Sequence, residues 1–419
     1  MASDSSIAPN AAQGILRSYR KDFSILEQPM NGKRLAFLDS AASAQKPRAV
    51  VEAMSEVVKY NYANIHRGLY QFSQELTASY EAVRTKVADF IGADSDKEII
   101  FTANATDSIN LVAQSWGRAN LKAGDEIILS EMEHHANIVP WQLLREETGI
   151  VIKVIPVLDN GTLDMEAYST LLSDKTRLVS VVHISNALGT INPVKEIVAK
   201  ANAFNSGIIT LIDGSQSVVH EQIDVSDIGC DFFVFTAHKL YSSTGLGVLY
   251  GRYEVLEAMP PYRGGGDMID SVSFEKTTFK EPPFRFEAGT PSIISVIGLG
   301  AAIDYLSAID IDAIKIHERE MTRLFTKGLK ELGDVEIYAD IPNKAGIVSF
   351  NLKGVHASDV GTILDQCGVA VRTGHHCCMP LMKRLGIDSS VRASFALYTV
   401  KDDINQCIEG LKKAKELLL

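Results

Sequence analysis

At 419 residues the chain is longer than one ordinary hydrophobic core requires, so two or three domains are expected. Hydrophobic residues at 46% beside charged residues at 22% describe a globular chain. The formal net charge of −11 argues against nucleic acid or an anionic membrane as the main partner, although a few arginines or a helix N-terminus can still hold a phosphate.

The cysteines, Cys230, Cys367, Cys377, Cys378 and Cys407, are odd in number and irregularly spaced. That does not suggest a disulfide framework and fits a reducing compartment. The first ten residues are polar, carry Asp4 and lack the basic and apolar regions of a signal peptide. No apolar run approaches the length of a membrane span. A cytoplasmic protein is the expectation.

In chain order, residues 14–26 can form a short amphipathic helix and 35–38 a short strand. Pro47 suits the first turn of a helix running toward Tyr60, and residues 77–91 read as another. Short apolar, β-branched runs follow at 98–101, 126–129, 151–157, 177–184, 208–212, 231–235 and 246–250. Helical patterns at 107–116, 139–147 and 193–204 separate most of them. Continuous apolar strands between helices predict an α/β fold with a mainly parallel sheet covered on both faces. Residues 257–291, with paired prolines and Gly264-Gly265-Gly266, read as an irregular connection too long to be idle. Helices are then expected at 292–306, 311–332, 358–367 and 401–418, and strands at 335–338, 347–352 and 392–397, which is a small α+β domain.

Ligands of open α/β sheets bind beyond the carboxyl ends of the strands. After successive predicted strands stand Asn104-Ala105-Thr106-Asp107 opening a helix, then His134 and His135, Ser185-Asn186, Asp213-Gly214-Ser215-Gln216, and Thr236-Ala237-His238-Lys239. No Walker lysine motif or Gly-x-Gly-x-x-Gly fingerprint follows a strand, so a nucleotide is not favoured. The set suits pyridoxal phosphate, which needs a lysine, a carboxylate opposite the pyridine nitrogen and an anion site for its phosphate. Lys239 and Asp213 meet the first two needs. The helix N-terminus with Thr106, together with Thr236 and His238, meets the third, and His134 is placed to lie over the ring.

Arg372-Thr373-Gly374-His375-His376-Cys377-Cys378-Met379-Pro380 gathers thiols, imidazoles and a guanidinium with little apolar periodicity. Such a cluster suits either metal ligation or nucleophilic sulfur. Zinc sites space their cysteines so that side chains converge on a tetrahedron, whereas four consecutive residues splay, and no Cys-x-x-Cys pair exists elsewhere. A structural zinc on residues 375–378 is therefore disfavoured. Arg372, His375 and His376 are close enough in sequence to favour a Cys377 thiolate.

From about Leu38 to the C-terminus the sequence resembles the fold-type I, class V aminotransferase-like enzymes, and specifically the SufS-type (group II) cysteine desulfurases. The resemblance is carried by Leu38-Asp39-Ser40-Ala41-Ala42, His66-Arg67-Gly68, Met132-Glu133-His134-His135-Ala136-Asn137, Asp213-Gly214-Ser215-Gln216, His238-Lys239-Leu240-Tyr241, Phe286-Glu287-Ala288-Gly289-Thr290-Pro291 and the segment from Arg372 to Cys377. It implies an N-terminal helical segment (1–30) packed with a small domain, a large cofactor domain (31–290), and connecting helices plus a small α+β domain carrying the cysteine loop (291–419).

By the same resemblance Lys239 carries the cofactor, Asp213 pairs with the pyridinium, Gln216 hydrogen-bonds the phenolate oxygen, and His134 stacks on the ring and shuttles protons. Ala105, Thr106, Thr236 and His238 border the phosphate, with Thr290 reaching it from the other subunit of a homodimer. Asn186 and Arg392 bind the substrate carboxylate, with Arg372 and His66 nearby, and Cys377 is the catalytic cysteine. The implied reaction converts L-cysteine to L-alanine and leaves a persulfide on Cys377. L-selenocysteine is an alternative substrate, and a SufE-like or SufU-like protein is the acceptor for iron–sulfur cluster assembly. Met379-Pro380 is closer to the SufE-dependent pattern. Another β-lyase or aminotransferase on the same fold is the alternative reading, and a zinc-bound sulfur-relay scaffold a more distant one.

The sequence departs from the family pattern at Asn104-Ala105-Thr106 where Gly-Thr-Thr is common, at Thr236-Ala237 for Ser-Gly, at Ser242-Ser243 for Gly-Pro, and at Cys378 for alanine. None of these removes a required chemical group.

Overall fold

A computed structural model describes residues 18–419. The larger of its sheets has seven strands: β1 (Ile99–Thr102), β2 (Glu126–Ser130), β3 (Val151–Ile155), β4 (Thr176–Val182), β5 (Ile209–Asp213), β6 (Phe232–Thr236) and β7 (Gly247–Gly251). Their spatial order is β1-β7-β6-β5-β4-β2-β3. Only β7 runs against its neighbours; the pairings among β6, β5, β4, β2 and β3 are parallel. Because side chains alternate across a strand, Phe232 and Val234 enter one apolar core and Phe233 and Phe235 the core on the opposite face. Burial on both sides is why these strands read as continuous apolar runs. The carboxyl ends of β1, β2, β4, β5 and β6 share one edge.

A second, antiparallel sheet of four strands, β8 (Val335–Tyr338), β9 (Ile347–Leu352), β10 (Arg372–Gly374) and β11 (Ser390–Ser394), has the order β8-β9-β11-β10. Its own core includes Val348, Phe350 and Val391 against Phe325, Leu329 and Leu411 of the helices Ile311–Leu332 and Lys401–Leu418. Ala36–Phe37 pairs in parallel with Val369–Ala370, which ties the N-terminal segment to this unit.

Four local expectations are corrected. Residues 14–17 lie outside the described residues, and Ser18 and Tyr19 are helical, but the helix does not continue from Arg20 to residue 26. The chain forms short 3-10 turns at Arg20–Asp22 and Ser24–Glu27, because fully buried Phe23 plugs against Tyr398, with ring centroids 4.7 Å apart, and so interrupts the turn. The irregular connection contains a hairpin, Ile269–Val272 with Thr277–Phe279, whose exposed strands give no apolar signal. The strand expected at 392–397 spans Ser390–Ser394 and stops where Ser394 bridges to Asp39. The pattern also hides β10 and the helix Met379–Arg384, which flank Cys377.

The segment carrying Thr290 is anchored by a buried ion pair. Glu287 accepts from Arg84 Nη1 at 2.6 Å, from Arg84 Nη2 at 2.9 Å and from the Phe101 N–H at 2.7 Å. Burial works against the Arg84 charge, but Glu287 and Glu81 outweigh it and raise its pKa further. Breaking a buried pair by removing one partner costs about 3–5 kcal/mol, and without Glu287 the buried Arg84 keeps only the more exposed Glu81, at 2.8 Å. Glu287→Ala is expected to lose stability on that scale in urea unfolding; a loss under about 1 kcal/mol would show that Arg84 finds other partners.

Candidate active site

The carboxyl edge of the large sheet and the second sheet enclose a cavity of about 420 Å³. Lys239, Cys377, His134, Ala105, Thr106, Asn186, Asp213, Gln216, Thr236, His238, Arg392 and Arg372 all line it. Thr290 and His66 do not. Thr290 is exposed outside the cavity of its own chain. His66 is in a left-handed turn (φ 72°) outside that lining, with Nε2 paired to Glu81 at 2.9 Å.

At one end, Asn104 caps the helix Ala105–Val112 by accepting from the Asp107 N–H at 2.9 Å. The capped N-terminus leaves backbone N–H groups free for an anion. Strand β7 comes so close here that a Cβ on Gly247 would fall 2.3 Å from the Asn104 carbonyl carbon, so only glycine fits. His238 lies at the same end, and its Nδ1 is buried with no partner. Burial, then the charges of Lys239 and Lys46, push the His238 pKa down to about 4, so this ring is neutral. Thr236 Oγ1 makes only a long hydrogen bond, 3.4 Å to the Leu246 carbonyl.

Lys239, in the turn after β6, is half-buried in the cavity lining. Burial lowers its pKa, Asp213 opposes that shift, and Arg392 reinforces it. Asp213 ends β5 and is 4% exposed, with one carboxylate oxygen accepting the Ser215 N–H at 2.9 Å. Gln216 donates through Nε2 to the Ala41 carbonyl at 2.8 Å. The conformation of this turn requires Gly214, where a Cβ would lie 1.9 Å from the Phe233 ring.

His134 ends the turn after β2, and its Nδ1 accepts the Ala136 N–H at 3.1 Å. Burial and then Lys239 lower its pKa well below that of a free imidazole. Beneath it is fully buried Glu133, which sequence reasoning quoted within a motif but gave no task. Glu133 accepts from Ser130, from Asn137 Nδ2 at 2.7 Å and from the Val182 N–H at 2.9 Å. Asn137 Oδ1 is in turn taken by Trp141 and Ser180. The network fixes the backbone that carries His134. Glu133→Gln would turn an amide N–H toward either Val182 or Asn137, whichever way it sits, leaving two donors facing each other. An unsatisfied buried donor costs about 1–3 kcal/mol, and a loss of that size in urea unfolding is expected; an unchanged midpoint would mean that the network rearranges freely.

The cysteine loop is held mainly through Asn186. Its Nδ2 donates to the His376 carbonyl at 2.7 Å, and its Oδ1 accepts from the Cys378 thiol at 3.1 Å. The His135 N–H donates to the Cys377 carbonyl at 2.8 Å. Arg392 donates to the Asn186 carbonyl at 2.8 Å and to Asp39 at 3.3 Å, leaving its buried Nε without a partner. Asp39 also pairs with Arg372 at 2.8 Å. The expected electrostatic context of Cys377 is corrected in one respect. His376 turns inward to Ser390 Oγ at 2.8 Å, and burial followed by Arg392 lowers its pKa to about 3, so it contributes no charge.

Cys377 is exposed, whereas Cys378 is fully buried, with its pKa pushed up to about 12 by burial. That contrast supports Cys378 as a bystander. Limited iodoacetamide treatment of the native protein at neutral pH is expected to label Cys377 and spare Cys378, Cys230 and Cys407, as read by peptide mass mapping. Equal labelling of Cys378 would contradict the described loop.

The aminotransferase class-V model matches residues 36–407. The chain belongs to the aminotransferase class-V family. Among curated members, a cysteine desulfurase of Dickeya dadantii is 49% identical over 400 residues, covering 95% of this chain and 96% of that protein. The crystal structure of the Escherichia coli cysteine desulfurase CsdA, in its S-sulfonic acid form, aligns with a TM-score of 0.90 at 37% identity, over 99% of this chain and 100% of that one. The apo cysteine desulfurase of Thermococcus onnurineus aligns with a TM-score of 0.90 at 39% identity, over 96% and 97% of the two chains. The class-V family fold therefore extends over nearly the whole chain.

Proposed function

We infer that this class-V enzyme is a pyridoxal phosphate-dependent cysteine desulfurase that converts L-cysteine to L-alanine and supplies sulfur for iron–sulfur cluster assembly. The observation that carries the reading is that Lys239, Asp213 and exposed Cys377 line one cavity. The residues present fit the cofactor. A capped helix N-terminus and the unpartnered His238 Nδ1 suit its phosphate, a buried carboxylate suits its ring nitrogen, and a desolvated lysine suits its covalent attachment. Bound there, pyridoxal phosphate supplies an electron sink that stabilises negative charge at the substrate α-carbon.

The protein's own groups perform the remaining tasks. Arg392, with its free Nε, binds the substrate carboxylate, with Asn186 holding both that arginine and the cysteine loop. The released Lys239 amine removes the α-proton. Neutral His134, which lines the same cavity, exchanges a proton at the substrate amine. The Cys377 thiolate attacks the substrate sulfur, so that an S–S bond forms as the substrate C–S bond breaks. The electron pair of the broken C–S bond returns to the β-carbon, which is protonated, the α-carbon regains the proton held by Lys239, and alanine leaves while the persulfide stays on Cys377.

The oligomer is a homodimer in this reading. It is supported by the exposed apolar side chains of Tyr60, Tyr62, Leu69, Tyr70 and Phe72 around His66, and by exposed Thr290 standing outside the lining of its own cavity. Thr290 and His66 would then complete the partner's site. A SufE-like or SufU-like protein accepts the sulfur from Cys377, L-selenocysteine is a second substrate, and the reaction takes place in the cytoplasm.

Incubation with L-cysteine is expected to yield alanine in step with a mass gain of one sulfur atom on Cys377. Cys377→Ser should abolish sulfur transfer while keeping the cofactor absorbance. Sulfur release that survives this substitution, or a keto acid in place of alanine, would overturn the reading in favour of another β-lyase or aminotransferase.

A further inference from the structure

Four consecutive residues cannot all converge on one ion, and the structure shows how the cysteine loop divides them. His376 and Cys378 turn inward, to Ser390 and Asn186. His375 and Cys377 remain outside, at the cavity mouth. A third donor arrives from far away in sequence. His135, in the turn after β2, stacks near His375 with ring centroids 5.5 Å apart. One ligand atom from each of His135, His375 and Cys377 lies within 4.8 Å of the others, and no ion is present among them. Small rotamer changes bring such a trio into the tetrahedral ligand distances of zinc.

We propose that His135, His375 and Cys377 form a binding site for a thiophilic divalent cation of the zinc type, and that its occupation masks the nucleophilic sulfur. Two imidazoles, one thiolate and an open fourth position suit zinc, and the absence of a carboxylate from the trio disfavours magnesium or calcium. Backbone contacts gather the trio. The Cys377 N–H donates to His375 Nδ1 at 3.0 Å, the Met379 N–H donates to His135 Nε2 at 3.1 Å, and the Cys377 carbonyl accepts the His135 N–H at 2.8 Å. The first two bonds occupy the acceptor nitrogen of each neutral imidazole, so an ion takes these nitrogens by displacing the two N–H donors.

A thiolate held by zinc gives charge to the metal and is a weaker, sterically screened nucleophile toward a substrate sulfur. Displacement of the ion restores it without any redox step. Cys377 is thus the shared element of a sulfur-transfer site and a metal site, and the two uses exclude each other. The effect on turnover rests on the nucleophile role given to Cys377, whereas the binding itself does not.

The test is zinc titration of the cofactor-loaded protein in competition with a chromophoric chelator, with alkylation of Cys377 followed in parallel. One zinc per chain and protection of Cys377 from iodoacetamide are expected. Disturbing only a supporting group of a metal site typically costs roughly 10–100-fold in affinity, so His135→Ala and His375→Ala should each weaken binding at least about tenfold. His375 is exposed, so its variant remains informative if His135→Ala fails to fold. Zinc affinity unchanged in both variants, or Cys377 still alkylated with zinc bound, would overturn the site. If zinc binds as expected but alanine formation continues unchecked, the masking of the nucleophile is wrong while the site stands.

Discussion

The rest of the site is arranged around one electrostatic constraint: an amine has been placed where charging it is expensive. Lys239 is half-buried in the lining of a cavity at the carboxyl ends of central strands. Desolvation favours its neutral form, and Arg392 on the same cavity pushes in the same direction. Asp213 restrains the shift and would be a costly buried carboxylate without cationic company. A neutral amine is the form that can bond to a carbonyl carbon or take a proton. The parallel sheet makes this possible, because it carries Asp213 and Lys239 to one edge from neighbouring strands while apolar cores seal both of its faces.

The cysteine loop is governed by backbone geometry. His376 and Cys377 are consecutive non-glycine residues with positive φ, 51° and 57°. Such conformations cost about 1–3 kcal/mol each and persist only where the surroundings enforce them. Here Asn186, the His135 N–H and the inward anchors His376 and Cys378 do so. The outcome is that adjacent residues with similar side chains have opposite surroundings. Cys377 faces solvent at the cavity mouth, while Cys378 is a buried donor that holds Asn186 in place. Asp39 joins the parts by pairing with Arg372 and Arg392, both on the second sheet.

Much of this was legible before any coordinates. Strands buried on both faces leave continuous apolar runs, so the large sheet and the residues at its strand ends could be read directly, including Lys239, Asp213 and the turn at Asn104. Exposed elements leave no such trace, which is why the hairpin at Ile269–Val272 and the short strand Arg372–Gly374 were missed. The turn at Phe23 was also hidden, since only its aromatic neighbours, Tyr305 and Tyr398, explain it. Side-chain direction was equally out of reach. Nothing in the order His375-His376-Cys377-Cys378 says that alternate members point inward, or that His135 comes to meet the outer pair. Glu133 stood inside a recognised motif, but its task depends on Ser130, Asn137 and Val182, which only folding assembles.

The central claim is that desolvated Lys239 is the group that carries the cofactor. Lys46 provides an internal rival, since burial lowers its pKa to about 8 and its amine donates to the His238 carbonyl at 3.1 Å. The most direct measurement is borohydride reduction of the purified protein, followed by peptide mass mapping for the phosphopyridoxyl group. The account predicts that group on Lys239 alone; its recovery on Lys46, or a reduced protein with no modified lysine, would contradict it.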